Sequence, residues 1–206
     1  MILVGQYDSP YVRRVAISLR VLGFSYEHDT RSVFGEFDAI RRINPAGRIP
    51  ALIIDDGTTL IDSSAILDWL DHEVGPRRAL VPADGAERLR VLQRVALATG
   101  AIDKMGTAAY ERIMRPAVLC WPEWIARCRE QALGALAALD KQQWSEGTGL
   151  DQGEITAACA IAYAHLVDPE IVPQGRFPAL EALSVRCEAR REFAATRPME
   201  YVIPRG

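Results

Sequence analysis

The chain has 206 residues, of which 49% are hydrophobic, and its 24 basic residues stand against 27 acidic ones for a formal net charge of −3. That composition supports a core in one large or two small domains, and the near balance of charge argues against a broad surface for nucleic acid or anionic membrane, leaving small molecules as the expected partners. No apolar run approaches the roughly 20 residues of a membrane span and the N-terminus lacks the basic region of a secretory signal, so the expected location is cytoplasmic.

The first part of the chain alternates between strand and helix signals. An apolar opening, Met1-Ile2-Leu3-Val4, predicts a strand over about 2–6, and Ser9-Pro10 then supplies an N-cap and a first-turn proline for a helix over about 10–22. A hydroxyl at such a helix start sits beside unpaired N–H groups and a partial positive charge, so a thiolate or carboxylate held next to Ser9 would be stabilised by both. A short strand over about 25–29 and a helical segment over about 36–43 follow. Asp56-Gly57 between the apolar runs 51–55 and 58–61 predicts a hairpin, after which Asp62 or Ser63 caps a helix carrying Ile66, Leu67, Trp69 and Leu70. This β-α-β-α-β-β-α order is that of a thioredoxin-like domain.

Proline, glycine and charge concentrate over 76–84 and mark a linker. Beyond it the pattern is helical: Leu92, Ala96, Thr99 and Ile102 are expected to share one face, Ile125, Cys128, Ala132, Leu136 and Leu139 another, and Asp151-x-x-Glu154 reads as a capping box before Ile155 and Cys159. The fold class is therefore α+β, with a thioredoxin-like domain at 1–75 and an all-helical domain at 85–206.

Two further segments carry chemistry. Pro50 ends Asn44-Pro45-Ala46-Gly47-Arg48-Ile49-Pro50 immediately before an apolar strand; as a cis proline there it would leave the backbone of Ile49 free to pair with an extended ligand, whereas the plain alternative is a loop-ending turn. At Asp62-Ser63 a helix N-terminus and a hydroxyl offer a seat for a carboxylate and Asp62 a partner for an ammonium group, the alternative being a cap with no ligand. Cys120, Cys128, Cys159 and Cys187 form no C-x-x-C pair and read as small apolar residues on helix faces, and His28, His72 and His165 lack ligand spacing, so no metal site is expected. Arg13 and Arg14 read as surface or domain-interface charges, and Trp121 and Trp124 as packing residues at a helix start.

Taken together, Ser9-Pro10-Tyr11-Val12-Arg13, the 44–50 segment and Asp62-Ser63-Ser64-Ala65-Ile66 resemble the glutathione S-transferase superfamily in order and spacing, and the likeness covers essentially the whole chain, closest to bacterial members opening with Ser-Pro-aromatic. The resemblance implies a cytoplasmic, homodimeric, detoxifying enzyme with glutathione as co-substrate and no metal. In it Ser9 would donate to the glutathione sulfur, Ile49 before Pro50 would pair with the cysteinyl unit, Asp62 and Ser63 would hold the γ-glutamyl end, and Arg48 would help with a carboxylate. Tyrosine or cysteine replaces this serine in other branches, which makes Tyr7 the alternative thiol partner; the absence of cysteine before Cys120 disfavours thiol exchange. Arg48 and Asp62 depart from the more usual lysine and glutamate. Candidate walls for an electrophile pocket are Tyr11, Phe34, Met105, Tyr110 and Met114, with Arg112 or Arg115 for an anionic group. Two rival activities stay open: a non-catalytic interaction module on the same fold, and a glutathione-dependent isomerase or dehalogenase.

Overall fold

The computed structural model describes residues 1–145, 147 and 149–198. Four three-residue strands, β1 (Ile2–Val4), β2 (Glu27–Asp29), β3 (Ala51–Ile53) and β4 (Thr59–Ile61), form one sheet in the order β2-β1-β3-β4. β1 runs parallel to β2 and antiparallel to β3, and β3 is antiparallel to β4. The first connection needs a crossover, which α1 (Pro10–Leu22) provides, and the last is the expected Asp-Gly hairpin, closed by Thr58 N–H donating to Asp56 Oδ1 at 2.8 Å.

Side-chain alternation sorts the sheet into two faces. Val4 and Ala51 pack with Ile40 of α2 (Phe37–Ile43), flanked by Ile2, Val33, Ile43, Ile49 and Ile53. Leu3 and Leu52, opposite one another in the β1–β3 register, turn to the other face, which α1 and α3 (Ser63–Val74) cover. α1 ends where Gly23 takes a left-handed φ of 82°, so that Gly23 and Phe24 N–H groups reach the Arg20 and Leu19 carbonyls. After α3 the proline-rich segment is tied back by Asp71, whose two carboxylate oxygens accept from Leu80 and Val81 N–H at 2.7 and 3.0 Å.

The chain divides into two compact units: Met1–Ala83 with the described residues from Ala189 onward, and Asp84–Glu188. The thioredoxin-like domain is the first unit and the second is helical, as the element order implies. A short helix near the end of the chain, Arg191–Ala194, packs on α1, where Arg13 Nε donates to the Thr196 carbonyl at 3.0 Å.

The second unit is built on α4 (Gly85–Ile113), α5 (Pro122–Asp140), α6 (Gln152–Val167) and α7 (Pro178–Glu188), with α4 packed against both α5 and α6. Being covered from two sides, α4 buries the small side chains Ala98, Ala101, Ala108 and Ala109 together with Val91 and Met105, while Leu92 turns outward; the expected Leu92, Ala96, Thr99 and Ile102 stripe is rotated from the buried one and only Ile102 belongs to it. The face of α5 is as expected at Cys128, Ala132, Leu136 and Leu139.

The capping box of α6 is present. Glu154 N–H donates to Asp151 Oδ1 at 2.8 Å and Asp151 N–H to Glu154 Oε2 at 3.2 Å, while Arg94 Nη1 lies 3.2 Å from Asp151 Oδ2. Burial pushes the Glu154 carboxyl above the usual carboxylate range, and Asp151 adds to that while its backbone N–H opposes it. Trp121 and Trp124, expected to pack at a helix start, stack on one another with ring centroids 6.4 Å apart and stay 60% and 36% exposed, Trp121 at the N-cap of α5 and Trp124 in its first turn. Cys128, Cys159 and Cys187 are buried helical residues, whereas Cys120 lies outside a helix, after the short turn Ala117–Leu119, with its thiol donating to the Glu111 carbonyl at 3.0 Å.

Candidate functional site

Three segments of the first unit meet at one end of the sheet, and the contacts that join them are specific. Gly5, directly after β1, has φ 124°, and a Cβ built on it would stand 2.6 Å from Val12 Cγ2 of α1 and 2.8 Å from Ile49 Cβ. Only a residue without a side chain lets the strand end, the first turn of α1 and the 44–50 segment approach this closely. From the next turn of α1, Arg14 Nη2 donates to Ser63 Oγ at 2.7 Å and to Ser64 Oγ at 3.1 Å, which links α1 to the N-terminus of α3.

Ser9 is the N-cap of α1, in extended conformation, with Pro10 at the first helical position. Its Oγ accepts from Val12 N–H at 3.4 Å, a long capping bond, and its own N–H donates to Asp8 Oδ1 at 3.0 Å. Burial raises the Asp8 carboxyl, and the Ser9 N–H holds it partly back. Tyr7 is turned into the unit: its hydroxyl pairs with that of Tyr26 at 2.9 Å, Arg20 Nε donates to the Tyr26 hydroxyl at 3.1 Å, and the Tyr7 ring stacks on His28 at 3.9 Å. Burial and the Tyr26 hydroxyl raise the Tyr7 phenol well above its ordinary value, so it stays protonated at neutral pH. His28 Nε2 donates to the Gly5 carbonyl at 2.7 Å and so helps fix the strand end.

The Ile49–Pro50 peptide is cis. Asn44, which the sequence presented only as part of a motif, organises the segment before it. Its side-chain N–H donates to the Arg48 carbonyl at 2.7 Å, its side-chain oxygen accepts from Ala46 N–H at 3.0 Å, and its backbone carbonyl accepts from Gly47 at 2.8 Å. An asparagine that starts an Asx turn before Pro and Gly is the signal that could have revealed this role. Among the described residues the backbone N–H and C=O of Ile49 take no backbone partner. Arg48 is exposed.

Asp62 caps α3 with φ 67° and is the one residue other than glycine with positive φ among those described. Its Oδ1 accepts from Ser64 N–H at 2.7 Å, and its side chain is otherwise open to solvent. Ser63 is buried. Of the surface or domain-interface positions expected for Arg13 and Arg14, the surface one is excluded, because they are buried to 3% and 1% exposure. Arg13 is consumed by the carbonyls of Thr196 and Phe193, whereas Arg14 lies beneath the α3 N-terminus and over the Tyr11 ring, 5.7 Å from its centroid. Burial of a guanidinium requires hydrogen bonding to fixed acceptors, a need that charge patterning along the sequence does not reveal.

Tyr11 and Phe34 of the first unit are half-buried. In the second unit Tyr110 and Met114 are 48% and 57% exposed, whereas Met105 is core, because it lies on the face of α4 that other helices cover. Arg115 pairs with Glu111 at 2.9 Å, and Arg112 lies 3.4 Å from Asp168. No set of three or more His, Cys, Asp or Glu side chains among the described residues is arranged to hold a metal ion, and no helix there is long and apolar enough to cross a membrane.

Known proteins match this arrangement along its whole length. The family models for the glutathione S-transferase N-terminal domain and C-terminal domain match residues 3–78 and 122–184. The chain is 30% identical to the uncharacterized GST-like protein YibF of Escherichia coli K12, over 96% of this chain and 98% of that one, and 26% identical to a probable maleylacetoacetate isomerase of Drosophila melanogaster, over 96% and 81%. A solved glutathione S-transferase of Methylobacterium radiotolerans, in complex with glutathione sulfonate, superposes with a TM-score of 0.91 at 30% identity, covering 100% of this chain and 98% of its own. The segment that Gly5 and Arg14 knit together lies within the matched N-terminal model, the capped α6 lies within the C-terminal one, and the chain belongs to the glutathione S-transferase superfamily.

Proposed function

We propose that the protein is a glutathione transferase that activates the glutathione thiol through Ser9 for attack on a small electrophile. The observation that carries this is the joining of the α1 cap, the cis Ile49–Pro50 segment and the α3 cap into one end of the sheet by Gly5 and Arg14. Each part suits one portion of a short anionic peptide. Ser9 Oγ–H donates to the thiolate beside the positive end of α1, Ile49 pairs its backbone with the cysteinyl unit, Ser63 and the α3 N–H groups receive the γ-glutamyl carboxylate, Asp62 meets the ammonium group, and Arg48 meets a terminal carboxylate. A thiol with pKa ~8.5 is only a few per cent thiolate at neutral pH, so each unit of depression, worth ~1.4 kcal/mol, raises the nucleophile nearly tenfold.

In the reaction the sulfur lone pair forms a bond to the electrophilic carbon, and the leaving group departs with its electron pair. Tyr11 and Phe34 are the first-unit side chains proposed to meet that electrophile. The engagement of the Tyr7 hydroxyl by Tyr26 supports Ser9 over Tyr7 as the thiol partner. The same reading includes a cytoplasmic homodimer, which sedimentation of the purified protein tests. Calorimetric titration with reduced glutathione is the direct experiment: saturable one-to-one binding supports the site, and no heat at millimolar ligand overturns it in favour of an interaction module.

The whole-length likeness to a probable maleylacetoacetate isomerase favours one second reading, in which glutathione adds to a conjugated double bond, allows rotation and leaves again. Product analysis separates the two. A stable thioether marks conjugation, and a rearranged substrate with glutathione recovered marks isomerisation.

A further inference from the structure

Asp8 has no part in the proposed transfer reaction, yet its carboxylate stands at the helix end where that reaction places the thiolate. Its Oδ1 accepts from Ser9 N–H at 3.0 Å, and the same N–H reaches the Gln6 carbonyl at 3.2 Å. The N and Oγ atoms of Ser9 are linked only through Cα and Cβ, so the Asp8 oxygen lies within about 7 Å of the hydroxyl. The first turn of α1 contains no acidic residue, and Asp8 supplies an anion immediately before it.

No partner neutralises that charge. The causes acting on the Asp8 carboxyl are burial, which raises it, and the N–H groups of Ser9 and of Asp8 itself, which lower it; no neighbouring charge is among them. The cations and phenols of the surrounding elements are engaged elsewhere. Arg13 donates to the Thr196 and Phe193 carbonyls and Arg14 to the Ser63 and Ser64 hydroxyls. His28 donates to the Gly5 carbonyl, and Arg20 to Tyr26, whose hydroxyl pairs with that of Tyr7. The Tyr11 ring lies over Arg14, Asp62 caps α3 through Ser64 N–H, and Arg48 is exposed. Asp8 itself is half-buried, so solvent screens it only in part.

We infer that Asp8 restrains the activation of glutathione: its carboxylate competes with the bound thiolate for the positive end of α1 and keeps more of the thiol protonated than Ser9 and the helix alone would. This rests on the assignment of Ser9 as thiol partner. Like charges at one helix end disfavour one another, so each ionisation makes the other harder. The restraint has a chemical use, because a thiolate becomes less nucleophilic as its thiol becomes more acidic, and attack is fastest when the thiol ionises close to the ambient pH.

The test is ultraviolet titration of the glutathione thiolate on the full chain, from about pH 5 to about pH 9 with glutathione at saturation throughout, in wild type, Asp8→Asn and Asp8→Glu. Asparagine keeps an oxygen for Ser9 N–H and removes the charge, so the first variant preserves the local bond and isolates the electrostatic effect. Expected is a midpoint lower in Asp8→Asn by about half a unit to one unit, the effect of one partly screened charge at this range, or about threefold to tenfold more thiolate on the acid side of the midpoint. Asp8→Glu, which retains the charge, should titrate as wild type does. A midpoint unchanged or raised in Asp8→Asn would overturn the inference and leave Ser9 as thiol partner, since a thiolate still forms. An equal fall in Asp8→Glu would also overturn it, because charge would not be the cause. Absence of a thiolate band in all three proteins, with glutathione bound by calorimetry, would remove the assignment of Ser9 and this inference with it.

Discussion

Arg14 Nη2 donates to Ser63 Oγ at 2.7 Å inside the first unit, so a buried cation occupies a lone pair of the hydroxyl at the N-terminus of α3 and leaves its proton to donate to another group. If that proton meets the γ-glutamyl carboxylate, Ser63→Ala should raise the dissociation constant for glutathione roughly fivefold to tenfold, about 1 kcal/mol. Arg14→Gln should do the same, and the double variant should lose little more than either single one. Additive losses in a calorimetric cycle would show that the two residues act separately.

Ser9 has two separable duties. As an N-cap its loss in Ser9→Ala should cost ~1 kcal/mol of stability. As thiol partner its loss should leave glutathione binding nearly intact while thiolate absorbance of the complex at neutral pH falls several-fold. Unchanged absorbance would reduce Ser9 to a cap.

At Asp62 the cap and the charge are divided by choice of substituent. Asparagine tolerates the positive φ of 67° and retains an oxygen for Ser64 N–H, so Asp62→Asn should keep the melting temperature and weaken glutathione severalfold through loss of the ammonium partner. Asp62→Ala should lose both. Equal affinity for wild type and Asp62→Asn in a binding titration would remove the charge from the proposed role.

Gly5→Ala places a methyl group 2.6 Å from Val12 Cγ2 and 2.8 Å from Ile49 Cβ, in a backbone conformation with φ 124° that alanine avoids. The expected loss is ~2 kcal/mol or more, measured by denaturant unfolding. Glutathione affinity should fall with it, since the same contacts join the parts of the site.

Glu154 offers a test of sign. Its folded carboxyl is raised, chiefly by burial, so below the unfolded value both states are protonated and it contributes no pH dependence. As pH rises from there through the folded value, only the unfolded chain ionises readily, and stability falls. Glu154→Gln retains a side chain able to complete the capping box and carries no proton to lose. Melting temperatures followed from acid to neutral pH should therefore decline less steeply for Glu154→Gln than for wild type. Parallel curves would place the titration elsewhere.

The parts of this fold that local sequence encodes were legible. Ser9-Pro10, Asp56-Gly57 and the Asp151/Glu154 box each dictate a cap or turn within four residues, and the structure has all three. What escaped was set by distant partners. Nothing near Arg13 or Arg14 shows that their acceptors lie at Phe193, Thr196 and Ser63, and the stripe of α4 shifted because two helices, not one, cover it. Asn44 was visible as a letter, but its hold on Arg48 depends on a loop that closes only in three dimensions.

The bond from Arg13 to the carbonyls of Phe193 and Thr196 sets an order on biosynthesis. The first unit is completed by residues that follow the whole helical unit in the chain, so during translation the helical unit has its entire sequence available while the inner side of α1 still waits for its cover. A fragment ending at residue 83 would leave that guanidinium without its two acceptors, and the candidate glutathione site should be studied in the whole chain.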